Sequence, residues 1–268
     1  MRLTIDHRTT YRFTAPQGRV VQLLRMTPPN THDQTVADWH IAVDCDARMR
    51  DHRDGFGNRT TMLYAEGPLD RVEIAVTGEV VTTHSSGVLH GAFEPLPPRV
   101  FLRTTPATLA DGAIREFAAA RWDEGAPLES LHRLNRALHD RFDAAGGRPQ
   151  PGLSAADAFA GGDLTSRDLA QILIAAARAM GLPARYVTGY CDLHDDHRPT
   201  PHGWADAWVD GIGWVGFDPT LGVSPEDHHV RVAVALDAAG SSPVAGSRLG
   251  EGRECLDVDV SVSVSAEA

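Results

Sequence analysis

The sequence predicts an α+β fold. An antiparallel β region spans residues 1–85, a linker spans 86–107, and in the core, 108–268, helices pack on an antiparallel sheet. Three observations point there. Up to about residue 85, apolar and polar side chains alternate with the two-residue period of strands. From about residue 108, apolar residues recur at the spacing of a helical face. Beyond Gly181, strand-like runs return, divided by glycine-containing turns.

In the first region LTIDHRTTYRF alternates, with Leu3, Ile5 and Tyr11 as candidate buried positions. VVQLLRM, WHIAVDC, RTTMLYA and VEIAVTGEVV read as further short strands. Pro28-Pro29 and the DGFGN stretch, Asp54 to Asn58, mark turns between them. Short strands at this spacing predict an antiparallel sandwich or sheet. The following HSSGVLHGAFEPLPPRVFLRTTP is rich in proline and glycine and reads as the linker.

In the core, Leu128, Leu131, Leu134, Leu138 and Phe142 fall on one helical stripe, which the loop AAGGRPQPG ends. SAADAF reads as a short helix with Ser154 as its cap. In LTSRDLAQILIAAARAMG, the residues Leu169, Ile172, Leu173, Ala176 and Met180 form an apolar face. Thr165 or Ser166 caps its start and Gly181 follows its end. Strands resume with ARYVTGYCDL, GWADAWVD and GWVGFD. The last two flank Asp210-Gly211-Ile212-Gly213, a hairpin turn. HHVRVAVAL and ECLDVDVSVSV close the chain, and the terminal SVSVSAEA reads as a fraying end.

Composition removes several function classes. The chain has 268 residues, 42% hydrophobic and 23% charged, which suits a folded soluble protein. Its net charge of −11 argues against nucleic acid and anionic membranes as partners, since phosphate must be met by a basic patch. All 25 basic residues are arginine, so Schiff-base catalysis by lysine is excluded. Cys45, Cys191 and Cys255 lie far apart, with no C-x-x-C; neither a disulfide framework nor a zinc knuckle is indicated. With a polar start and no membrane-length apolar run, this predicts a cytoplasmic location. No glycine spacing matches a phosphate loop, so no cofactor is expected. His194-Asp195-Asp196-His197 with His202 and His228-His229 meets no fixed ligand spacing, and no metal is expected either. Trp204, Trp208 and Trp214 read as core and cleft-wall residues.

Three segments carry candidate chemistry: a helix start with Ser166, a strand entry with His202 and a strand end with Asp218. Free N–H groups at a helix start can hold an oxyanion. The hairpin over 204–217 brings His202 and Asp218 together, where a carboxylate can fix the tautomer of an imidazole. Ser, His and Asp are common, so spacing alone also fits a helix cap, a loop histidine and a turn-forming aspartate.

Four motifs narrow this reading: L-T-S-R-D-L-A-Q (Leu164 to Gln171), G-L-P-A-R-Y-V-T-G-Y (Gly181 to Tyr190), P-H-G-W-A-D-A-W-V (Pro201 to Val209) and G-W-V-G-F-D-P-T (Gly213 to Thr220). Together with D-H-H-V-R-V-A-V (Asp227 to Val234) and the earlier Y-R-F, R-M-T-P and F-G-N-R, they resemble the bacterial transglutaminase-like family over nearly the whole chain. The resemblance implies a transglutaminase-like (papain-like) core behind an accessory N-terminal β region. It also implies a catalytic triad at Ser166, His202 and Asp218, acting by acyl transfer on a peptide or amide-containing substrate.

The departures cluster at the nucleophile. Ser166 stands at the family's cysteine position, Leu164 at its glycine and Gln171 at its histidine. A thiol can rest as a thiolate beside an imidazolium; a serine hydroxyl must lose its proton during attack. Three explanations are open: a natural Ser-His-Asp enzyme (an amidase, protease or amide-forming transferase), a non-catalytic relative that binds a peptide or protein, or an engineered inactive form of a cysteine enzyme. Leu164 and Gln171 argue against the third, because one engineered change would leave the surrounding motif intact.

Overall fold

A computed structural model describes residues 1–144, 150–193 and 200–264. Residues 145–149 of the AAGGRPQPG stretch, residues 194–199 with His194-Asp195-Asp196-His197, and residues 265–268 lie outside that set. The α+β reading holds: an N-terminal antiparallel sheet is followed by helices packed on a second antiparallel sheet.

The N-terminal strands are longer than their sequence punctuation suggests. β1 (Arg2–Leu24) and β4 (Arg59–Thr82) each fuse two of the expected runs. Pairing survives the polar interruption because the β1–β4 register shifts between Arg12 and Gln17 and again between Gln17 and Arg19. There the backbones touch: a Cβ on Gly67 would lie 1.9 Å from the Gln17 carbonyl oxygen, so only glycine fits. The expected sandwich-or-sheet is a single six-stranded sheet. Its remaining members are β2 (Gln34–Val43), β3 (Ala47–Arg53), β9 (Val244–Leu249) and β10 (Glu254–Val264). The last two strands of the chain thus return to pair with β1. The DGFGN turn joins β3 to β4, with the Asp54 carboxylate accepting from the N–H groups of Phe56 and Asn58.

The core contains α1 (Gly112–Ala119), α2 (Pro127–Arg141), α3 (Ala155–Phe159) and α4 (Ser166–Ala179). Its sheet contains β5 (Ala184–Cys191), β6 (His202–Val209), β7 (Gly213–Phe217) and β8 (His229–Ala235), in the order β7-β6-β5-β8. The expected stripe on α2 is buried at Leu131, Leu134 and Leu138. α4 is the central helix. Its apolar face of Leu169, Ile172, Leu173 and Ala176 is buried, each large side chain contributing about 1.5–3 kcal/mol. The opposite side is buried too, because Ala170, Ala175 and Ala177 are small enough for neighbouring elements to close over them. Arg178 anchors the far end, donating to the carbonyls of Phe101, Ala184 and Leu236 and to Thr108 Oγ1.

The segment read as a linker is packed. Phe101 is buried edge-on against Trp214, and Glu94 forms a two-pronged ion pair with Arg185. The two sheets share an apolar cluster that includes Leu3, Ile5 and Val80 from the first and Tyr190, Val230 and Val232 from the second. Side-chain amides cap the outer edge of β8. Gln34 bonds both the N–H and the C=O of Arg231, and Asn58 does the same for Val234. Each amide imitates a neighbouring strand and covers groups that an edge would leave open. The N-terminal sheet therefore fixes the position of β8, which carries a residue of the site.

Candidate active site

Local sequence places each of the three candidate residues. Thr165 is the N-cap of α4, extended at φ −116° and ψ 170°. Its N–H and Oγ–H both donate to Asp168, whose own N–H returns to the Thr165 carbonyl. Asp168 is buried and also takes the Arg167 guanidinium. The cap being Thr165, Ser166 is the first residue inside the helix, and its hydroxyl is not consumed in capping. Instead Ser166 Oγ accepts from the N–H of Gly203 at 3.2 Å. That bond pins the start of α4 to the start of β6, one residue past His202.

The turn between β6 and β7 is short, with Gly211 and Gly213 at positive φ. Val209 pairs with Gly213 and Ala205 with Phe217, so His202 and Asp218 emerge at the same end of the hairpin. Their side chains meet: His202 Nε2 donates to Asp218 Oδ2 at 2.6 Å. Both are buried. With Nε2 so engaged, Nδ1 is the nitrogen left to act as base. Ser166 and His202 share no direct hydrogen bond.

A fourth residue joins them. His229, at the start of β8, donates from Nε2 to the same Asp218 oxygen at 3.0 Å. Its tautomer is fixed, because Nδ1 accepts the backbone N–H of Glu226. The other Asp218 oxygen accepts from the N–H of Thr220 at 2.9 Å. Burial alone would raise the Asp218 pKa, but the charge and hydrogen bond of His202 and the hydrogen bond of His229 outweigh it, and the carboxylate is held well below its usual range. For His229, burial dominates over the attraction of Asp218 and lowers its pKa to about 4. It is a neutral donor at neutral pH.

The pH consequence is testable. A histidine that titrates near 6.5 when unfolded and about 4 when folded contributes stability in full above pH 6.5. That stability is lost as pH falls toward the folded value. It predicts a loss of about 2 kcal/mol from this one group between pH 7 and 5. His229→Gln replaces the imidazole donor with an amide N–H that does not titrate. Urea unfolding at both pH values should show a smaller acid loss for this variant than for the wild type; equal losses would contradict the assignment.

Among the described residues, two groups converge closely enough to consider a cation: His202 with Asp218 and His229, and Cys191 with His228 and His229. Both need His229, whose ring nitrogens are already committed to Glu226 and Asp218. No lone pair there is open to a metal. Leu164 is buried core, and Gln171 accepts from the N–H of Ala238, tying α4 to the segment after β8. A cavity of about 490 Å³ is lined by residues that include Arg167 and Gln171 of α4, Tyr186 and Thr188 of β5, and Pro201, which precedes His202. Among the described residues, no helix is long and apolar enough to cross a membrane.

Residues 3–81 match the bacterial transglutaminase-like N-terminal region, and residues 117–219 match the transglutaminase-like superfamily. The chain is 25% identical to an uncharacterized protein of Mycobacterium leprae (strain TN), over 98% of each. It is 26% identical to an uncharacterized protein of Mycobacterium tuberculosis (strain ATCC 25618 / H37Rv), over 98% of this chain and 92% of that one. Among solved structures, "a Putative Cysteine Protease from Cytophaga hutchinsonii" superposes with a TM-score of 0.72 at 19% identity, covering 100% of this chain and 92% of that one. At that identity the likeness is one of fold.

Proposed function

From a chain that carries a bacterial transglutaminase-like N-terminal region and a transglutaminase-like core, we propose an acyl-transfer enzyme acting on amide or peptide bonds. Ser166 is its nucleophile, His202 its general base and Asp218 the orienter of His202. The observation that carries this reading is the buried 2.6 Å contact between His202 Nε2 and Asp218 Oδ2, which leaves Nδ1 as the basic nitrogen.

The chemistry follows from the geometry. Ser166 Oγ bonds to the substrate carbonyl carbon while its proton passes to His202 Nδ1. The π pair of the C=O moves onto oxygen, where the N–H of Ser166 at the positive end of α4 offsets the new charge. As the pair returns, the C–N bond breaks and His202 hands its proton to the departing amine. Water or a second amine then takes the acyl group by the same steps. Asp218 stays ionised throughout and stabilises the imidazolium. A serine needs this base at the moment of attack, so activity depends on His202 more strictly than a resting thiolate would.

One observation favours a binding protein instead: Ser166 Oγ bonds the backbone of Gly203 and not the imidazole. A fluorophosphonate probe separates the two readings. The enzyme reading expects a single adduct, mapped by mass to Ser166 and lost in His202→Ala. An unlabelled wild type, or labelling indifferent to His202, leaves the binding reading standing.

A further inference from the structure

Tyr186 lies beside this site and has no role in the triad. It stands on β5, where the antiparallel register sets it opposite Ala205, two residues from Gly203. Its ring leans along the sheet so that its hydroxyl covers Gly203. A Cβ on Gly203 would sit 1.9 Å from the phenolic oxygen, so the hydroxyl occupies the space a side chain would fill. The N–H of that same Gly203 holds Ser166 Oγ. Phenol and serine hydroxyl are thus gathered around one residue, and Tyr186 also lines the cavity together with Arg167 and Pro201, the sequence neighbours of Ser166 and His202.

Tyr186 is 4% exposed, yet its hydroxyl makes no hydrogen bond with any described residue. The ring is buried while the residue lines the cavity, so the O–H is free to donate to a group bound there. The contrast with the nearby Tyr190 is direct: Tyr190, equally buried, is bonded to His7 Nδ1 at 2.9 Å. Tyr186 also stays a donor at any working pH. Burial raises its pKa, and the carboxylates of Asp168 and Asp218 raise it further against the opposing pull of Arg167. Gly203 is what lets the hydroxyl approach, so the two residues form one device.

We propose that Tyr186 is a catalytic residue of the same reaction, its O–H donating to the carbonyl oxygen of the substrate as that oxygen becomes an oxyanion. This inference rests on the acyl-transfer reading of the site. The proton stays on the phenol. The bond to oxygen strengthens as the C=O pair moves onto it and weakens when the pair returns to expel the leaving group. The N–H of Ser166 supplies the second donor, and both donors stand in place before the charge develops.

The test separates Tyr186 from the serine. Tyr186→Phe removes only the hydroxyl, and it is made both in the wild type and in Ser166→Cys. In the thiol background two reactions are compared. Acylation by p-nitrophenyl acetate passes through an oxyanion; alkylation by iodoacetamide does not. Loss of one oxyanion donor slows acylation on the order of 10²-fold. Alkylation should change less than about twofold if the thiol is otherwise undisturbed. Unchanged acylation, equal slowing of both reactions, or a thiol variant that is not acylated at all would overturn the role of Tyr186. Fluorophosphonate labelling of the wild type reads the serine separately. An inert Ser166 beside a Tyr186-dependent thiol variant sinks the serine nucleophile and keeps the tyrosine. A reactive Ser166 with Tyr186-independent acylation of the thiol does the reverse.

Discussion

Asp218→Asn should lower the rate of Ser166 acylation by about 10⁴-fold while leaving the protein folded at neutral pH. The size follows from hydrogen-bond polarity. Asp218 Oδ2 accepts from two imidazoles, His202 and His229, and Oδ1 accepts from the N–H of Thr220. An asparagine offers one acceptor oxygen and one donor nitrogen to three donors. If the oxygen stays with Thr220, the NH₂ faces two N–H groups and His202 must change tautomer. Nδ1 then carries the proton, and the nitrogen meant to receive the serine proton becomes a donor. His229 cannot relieve the conflict, because Glu226 fixes its own tautomer from the other side. The measurement is the second-order rate of fluorophosphonate labelling, with urea unfolding of the same variant as the folding control. A loss under tenfold in a folded variant would show that the carboxylate does not orient His202.

The parts of this site that could be read from sequence are those set by local rules. The hairpin was legible because Gly211 and Gly213 allow a tight turn, and a tight turn makes residues equidistant from it neighbours. A helix start near 165–166 was legible from the polar pair ahead of an apolar stripe, though Thr165 and Ser166 could not be ranked as cap. Asp168 settles that order by bonding Thr165, a contact three residues away.

What escaped depends on distant contacts. His229 read as half of a histidine pair in a search for metal ligands. Its place beside Asp218 comes from β8 lying next to β5, held there by Gln34 and Asn58, residues nearly two hundred positions earlier. The run from Asp227 to Val234 was the one signal that could have marked it. Tyr186 escaped likewise, since its meaning lies in a contact across the sheet with Gly203. Two further features rest on contacts across the molecule: a register shift keeps β1 and β4 paired through the polar intervals between the expected runs, and Glu94 and Phe101 fasten the linker segment to the core.

Behind the candidate residues lies a charge cluster whose loss should be the most destabilising single change on this sheet. Asp206 follows His202 and Trp204 on one face of β6, as the two-residue strand period requires. It is fully buried. It accepts from Arg185 Nε at 2.9 Å and takes a two-pronged bond from Arg231 at 2.7 and 2.8 Å. Burial would raise its pKa, but the charges of Arg231 and Arg185 outweigh that and lower it. Asp206→Ala leaves both guanidinium groups facing an emptied site, with Arg185 keeping its ion pair with Glu94 and its stacking on Trp214. Breaking such a buried pair costs about 3–5 kcal/mol, a large share of the total stability of an ordinary domain. The surface pair Arg133–Glu129, one helical turn apart on α2 and well exposed, should yield under about 0.5 kcal/mol on the same test. Urea unfolding of Asp206→Ala and Glu129→Ala decides it: a lower midpoint with an unchanged slope for the first and almost no shift for the second. Because Arg185, Asp206 and Arg231 bind β5, β6 and β8 together, the same variant should also loosen His202 from His229. Its labelling rate should fall at temperatures where it is still folded. Equal midpoints for the two variants would mean that this cluster does not hold the three strands in register.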